Sequence, residues 1–134
     1  MAEIIPALIL YYMNSTAIKT AFGNRIWGNK IPDLPGGGAQ PYPYARLREI
    51  SNAQNYSHGG YAGRRSLVQI DVYDADETNA NTNSELLRTA LDGYKGMIGG
   101  VDAGMVKARR GTGSWDPTVR NYWRILEVEV MTND

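Results

Sequence analysis

Ten residues, Arg64 to Tyr73, constrain the fold more than any other stretch of the chain. In Arg64-Arg65-Ser66-Leu67-Val68-Gln69-Ile70-Asp71-Val72-Tyr73 apolar and polar residues alternate, and Leu, Val, Ile and Tyr are enriched. That is the pattern of a half-buried strand. Ser66, Val68, Ile70 and Val72 share the face better suited to a core, while Leu67, Gln69, Asp71 and Tyr73 share the other. Gln69 and Asp71 are therefore expected outward or at a subunit boundary. From Asn83 to Leu91 the period changes: Leu86, Leu87, Ala90 and Leu91 fall at helical spacing. Thr82 or Asn83 is the expected N-cap, and Asp92-Gly93 the terminator. The rest of the chain is read as material that pairs with this strand or packs on this helix.

Before it, residues 3 to 21 place Ile4, Leu8, Tyr11 or Tyr12, Ser15, Ile18 and Phe22 roughly on one helical face, with a weak point at Asn14-Ser15-Thr16 and a stop at Gly23-Asn24. Arg25-Ile26-Trp27 is a short extended piece. Gly28 to Pro43, with four prolines and Gly36-Gly37-Gly38, has the turn chemistry of a loop. Tyr44 to Ile50 is strand-like behind Pro43. The polar, glycine-rich residues 51 to 63 are expected to be the long tip of an antiparallel hairpin joining the two strands. After the helix, Tyr94 to Gly100 predicts a turn and Val101 to Arg110 a strand with Val101, Ala103 and Met105 on one face and Val106 and Ala108 on the other. Gly111 to Pro117 is expected to be a flexible loop carrying Trp115. Tyr122, Leu126, Val128 and Val130 alternate with Glu127 and Glu129 in a last strand, Val119 to Met131.

Strands with two helices on one face make an α+β fold: a mixed, largely antiparallel sheet of about four to five strands, with long loops and a hairpin extending from it. The 134 residues are expected to form a single domain, long enough to bury one core unaided. Fourteen basic residues balance fourteen acidic ones, so no overall field favours nucleic acid or anionic membrane. The absence of cysteine removes disulfide scaffolds, thiolate zinc sites and cysteine nucleophiles. The apolar run from Ile4 to Met13 is far short of the roughly 20 residues that span a bilayer. A soluble, cytoplasmic protein with no membrane contact is expected. Nine tyrosines suit half-exposed places such as subunit interfaces, and equally the strand edges of a small β-rich domain.

Catalytic patterns are lacking. The single histidine, His58, has no orienting acid, nucleophile or metal partner in recognisable spacing. The acidic run Asp71, Asp74, Asp76 and Glu77 lacks the glycine and terminal glutamate of a calcium loop, and helix-dipole complementation explains it more simply. Neither Gly36-Gly37-Gly38 nor the glycine-rich Gly96 to Gly100 has a phosphate-cradling ending. No catalytic residue, cofactor ligand or metal ligand is expected, and the protein is read as not an enzyme. Two basic clusters remain: Arg46, Arg48, Arg64 and Arg65 about the hairpin, and Lys107, Arg109 and Arg110. Contact with an acidic partner or a nucleic-acid backbone is one reading; charge protecting an exposed edge from aggregation is the other.

The run of segments QPYPYARLREI, GRRSLVQIDVYDAD, LLRTALDGYKGMIGG and YWRILEVEV resembles the tail-terminator, or tail-completion, proteins of long-tailed bacteriophages. The resemblance covers nearly the whole chain as a pattern of strands and helices, without an active-site motif. It implies a mixed α/β sandwich and a structural virion role at the head–tail interface, assembled in the host cytoplasm. There a homo-oligomeric ring, typically a hexamer, caps the head-proximal end of the tail tube, stops its polymerisation and presents a docking surface to the head connector. DNA passes through the lumen without sequence-specific binding. Interface candidates chosen from residue type and expected exposure are Arg46, Arg48, Tyr56, His58, Tyr61, Arg64, Arg65 and Trp115. The competing readings are a head-completion, neck or minor tail protein, and, from another class, a small enzyme or ligand-binding domain using His58, Tyr56 and the arginines.

Overall fold

The computed structural model describes residues 3–32, 34, 40–57, 60–117 and 120–132, the side chains at 54–62 and 116 excepted. Within them the chain is α+β: three helices lie on one side of a six-stranded, curled, mixed sheet.

The expected N-terminal helix is two. Helix α1 (Ile4–Met13) ends at Asn14, and Ser15 starts α2 (Thr16–Phe22) by accepting a hydrogen bond from Ile18 N at 3.4 Å. The break falls at Asn14-Ser15-Thr16, where short polar side chains compete for the backbone. Gly23, at φ +62°, closes α2. Helix α1 buries Ile4, Ala7, Leu8 and Tyr12, one stripe at helical spacing.

The sheet order is β1 (Ile26–Gly28), β2 (Tyr44–Ser57), β3 (Gly60–Asp74), β6 (Asn121–Thr132), β5 (Val101–Asp116) and β4 (Gly96–Ile98). Only β1–β2 is parallel; the other neighbours are antiparallel. Ser66, Val68, Ile70 and Val72 form the buried face of the central strand, as their alternation predicts. Leu126, Val128 and Val130 of β6 lie beside them in register. In β5, Val101, Ala103, Val106 and Ala108 are all buried, although strict alternation would divide them between two faces. A register shift between Ala103 and Met105 resets the parity and turns all four inward.

Three expectations about loops are corrected. Residues 51–57 are not a hairpin tip but the second half of β2, paired Ser51↔Leu67, Ala53↔Arg65 and Tyr56↔Tyr61. Gly111 to Asp116 is likewise strand, paired Gly113↔Arg124 and Trp115↔Tyr122. The turn after the helix contains β4. Such polar and glycine-rich strands form because partners pair with them, a tertiary effect that intrinsic preference does not report.

Helix α3 (Glu77–Leu91) begins earlier than Thr82 or Asn83. Asp76 is its N-cap, accepting from Asn79 N at 3.0 Å, and Glu77 sits in the first turn. Ala80, Ser84, Leu87 and Leu91 make its buried stripe, against β3, β5 and β6. Gly93, at φ +78°, follows its end as expected.

Helix α1 touches β1 and β2 at one side of the sheet and β4 at the other, so the sheet curls around it. A Cβ at Gly28 of β1 would lie 2.8 Å from Ile5 Cγ2, and one at Gly99, after β4, 2.7 Å from Ala7 Cα. Both approaches require glycine. Tyr11 and Tyr12 donate to the carbonyls of Ala90 and Leu87 at 2.8 and 3.0 Å, tying α1 to α3.

Candidate functional site

The sheet face away from the helices is polar and half-buried. Arg46 and Arg48 stand on it as neighbours on β2, opposite Asp71 and Gln69 of β3. Arg46 donates twice to Asp71 Oδ2, at 3.2 Å from Nε and 2.8 Å from Nη2. Gln69 Nε2 donates to the other oxygen at 2.8 Å. Arg48 Nε lies 3.4 Å from Oδ2 but makes no hydrogen bond. Asp71 faces away from the core, yet these side chains leave it 0% exposed. Its outward orientation is as expected; its burial comes from the side chains that close over it. Farther along, Arg65 Nη2 donates to Glu129 at 2.8 Å, and Arg109 Nε lies 3.6 Å from Glu127. The bond to Arg65 holds the Glu129 carboxyl below its ordinary range and raises the Arg65 guanidinium.

At the other end of this face the rings run across the strands. Tyr42 stacks on Tyr44 at 5.5 Å, Tyr44 on Tyr73 at 5.0 Å, and Tyr73 lies parallel to Trp123 at 6.4 Å. Tyr44, Tyr73 and Trp123 are register partners, so the ladder is a row of cross-strand pairs that fixes the pairing.

Arg64 is adjacent to Arg65 in sequence and therefore points to the opposite side of the sheet. It lines a cavity of about 870 Å³ between α1 and the far half of the β2–β3 hairpin. Ile5, Ile9, Leu10 and Met13 of α1 form one wall, and Glu49 and Asn52 of β2 stand opposite. Arg64 Nε is buried without a hydrogen-bond partner among the described residues. The four hairpin arginines thus form two sites: Arg46, Arg48 and Arg65 on one face, Arg64 on the other. Tyr56 and Tyr61 are register partners near the hairpin end, and His58 lies outside the described residues. Trp115 is remote from all of these, at the end of β5, where its ring meets Tyr122 at 4.7 Å and remains 44% exposed.

Two strand edges are open among the described residues. Strand β1 covers β2 only at Ala45 to Leu47, and Asn29 N adds one bond to Leu47 O. From Arg48 to Ser57 that edge of β2 has no neighbour. On the other side of the sheet, β4 covers β5 at Val101 to Ala103, and the segment after α3 bonds to Val106 and Ala108. From Arg110 to Asp116 that edge is likewise free. Among the described residues, three of the four exposed large apolar side chains, Leu10, Ile50 and Trp115, lie at the cavity or on these edges. The basic clusters signal exposed edges, but the free stretches themselves lie mostly in residues 51–57 and 111–116, whose sequence carries no alternation.

Among the described residues, no group of three His, Asp or Glu side chains is placed to hold a metal ion. No described helix is long and apolar enough to cross a membrane.

No protein-family model and no curated protein matches the chain. Among solved structures it is similar to a chain from the virion of a native gene transfer agent particle, at TM-score 0.78 and 15% identity, over 98% of this chain and 95% of that one. A second solved chain matches at TM-score 0.60 and 13% identity, over 98% of each. The likeness is one of fold, end to end.

Proposed function

We propose that the chain is a structural protein of a phage-like virion that assembles into a ring, a hexamer in the simplest form, at the head-proximal end of the tail tube. The ring ends tube growth, offers its other surface to the head connector and leaves a lumen through which DNA passes. The observation that carries this reading is the end-to-end likeness of the fold to a chain of a gene transfer agent virion. The sequence resemblance to tail terminators points the same way.

The physical case rests on surfaces. A cyclic ring needs two different patches on each subunit that meet by rotation. The sheet offers such a pair, an open edge of β2 on one side and of β5 on the other. Exposed strand edges left unprotected invite association, so a chain with two of them is suited to one that is specific. Nothing in this role requires a nucleophile or cofactor, and we assign the protein no enzymatic activity.

Pull-down against tail-tube protein and head connector separately tests the assignment. The expected result is binding to the tube end, with the connector joining the assembled ring. Binding to the connector alone would move the chain to a head-completion or neck position. A measurable turnover or ligand-induced thermal shift abolished by His58→Ala would place it in another class.

A further inference from the structure

The cavity beneath α1 and the open edge of β2 are one feature. The cavity opens where β1 ends, at Gly28 and Asn29, and its floor includes Glu49 and Asn52 of the uncovered strand. A strand added at that edge would send alternate side chains into the cavity. Backbone pairing with pockets for alternate side chains is how added strands are recognised. We propose that the occupant is the distal half of β5 from a second copy of this chain, residues 110 to 116, with its Trp115 seated in the cavity against Ile5, Ile9 and Met13. This deepens the ring reading and rests on it.

Strand direction, offset and chemistry support the choice. Strands β2, β3, β6 and β5 alternate in direction, so a following copy laid beside β5 presents its β2 antiparallel. The register places Gly113 level with Ala45, and Asn52 level with Val106. Bringing the two free segments together therefore requires a slide of six to seven residues, roughly 20 Å along the strand. Four strands span roughly 19 Å across. The ratio corresponds to strands tilted by about 45°, at the upper end of what closed barrels use. In a flat, untilted array the free half of β2 would instead meet the covered half of β5.

With Gly113 opposite Asn52, Ser114 falls opposite Ser51, both on the helix-free face, and Trp115 falls near Glu49 on the cavity side. The indole would leave solvent for an apolar wall, on the same side of the sheet as Arg64.

The chain has no cysteine, so introduced thiols are the only ones present. Oxidation of full-length Ser51→Cys/Ser114→Cys at ring-forming concentration should give a ladder of crosslinked oligomers ending at the ring's copy number. Each single variant should give no ladder. Trp115→Ala should raise the concentration needed for assembly about tenfold or more, with the monomer's melting curve lowered only by the loss of the half-exposed ring pair with Tyr122, and Trp115→Phe should recover most of both losses. Rings seen by light scattering without a ladder, and unaffected by Trp115→Ala, would overturn this interface and leave the ring standing. Absence of rings at every concentration and on tail tubes would remove both.

Discussion

Asp71 is the most demanding side chain on the helix-free face, because it is charged and fully buried. A buried carboxylate is tolerable only when paired and hydrogen-bonded, and Arg46 and Gln69 supply those bonds. Arg46→Ala should therefore destabilise the protein by about 2–4 kcal/mol in urea denaturation. Arg48→Ala should cost less than about 1 kcal/mol, since Arg48 offers charge without a hydrogen bond. Equal losses would contradict this division of labour. Glu85 is a second residue whose partners have a measurable consequence. It accepts from Arg88 at 2.5 Å and also pairs with Arg110, and these bonds lower its carboxyl from 4.5 to about 2. The folded state thus holds the proton less tightly than the unfolded chain does. The stability from this site is fully present above about pH 4.5 and is lost as pH falls toward 2. Glu85→Gln should flatten the pH dependence of the unfolding midpoint within that window and leave its slope near pH 7 unchanged. Arg64 and Arg65 show what was legible at this scale and what was not. Their type marked them for contact, but two adjacent strand residues cannot share a face, and only the register shows which partner each meets.

Among the elements, β3 and the last strand were readable because each alternates over a half-buried sheet. The distal halves of β2 and β5 were not readable. Their Ser, Asn, Gln and Gly residues have weak strand preference, and pairing with Leu67 to Arg64 and with Arg124 to Tyr122 holds them extended. The start of α3 was missed for a related reason. Glu77 to Asn81 contains one apolar residue, Ala80, whose burial together with the Asp76 cap outweighs the poor helix preference of Thr and Asn. The hold on α1 gives the test at this scale. Gly99 lies against the backbone of Ala7 at φ +50°, so Gly99→Val meets both a backbone clash and a disfavoured conformation. It should destabilise the fold by about 2–4 kcal/mol, whereas Gly100→Ala, with open space around it, should cost about 1 kcal/mol from its positive φ alone. Comparable losses at the two sites would argue against close packing of α1 on the β4 turn.

At the scale of the molecule, the curled sheet wrapped on α1 has two diagonal edges open among the described residues, and this is where architecture and proposed role meet. Reversing Arg65 should disturb its pair with Glu129 on the helix-free face, while reversing Arg64 should disturb the cavity side alone. Under the proposed interface, Arg64→Glu is expected to impair assembly more than Arg65→Glu, read as the fraction of protein in rings by light scattering. His58→Ala is expected to leave that fraction unchanged. The most direct test of the ring assignment is negative-stain imaging of tail tubes incubated with the purified chain. The account predicts one ring at one end of each tube, with tube growth halted when free tube protein is added. Tubes that remain bare and continue to lengthen in the presence of excess folded protein would contradict it.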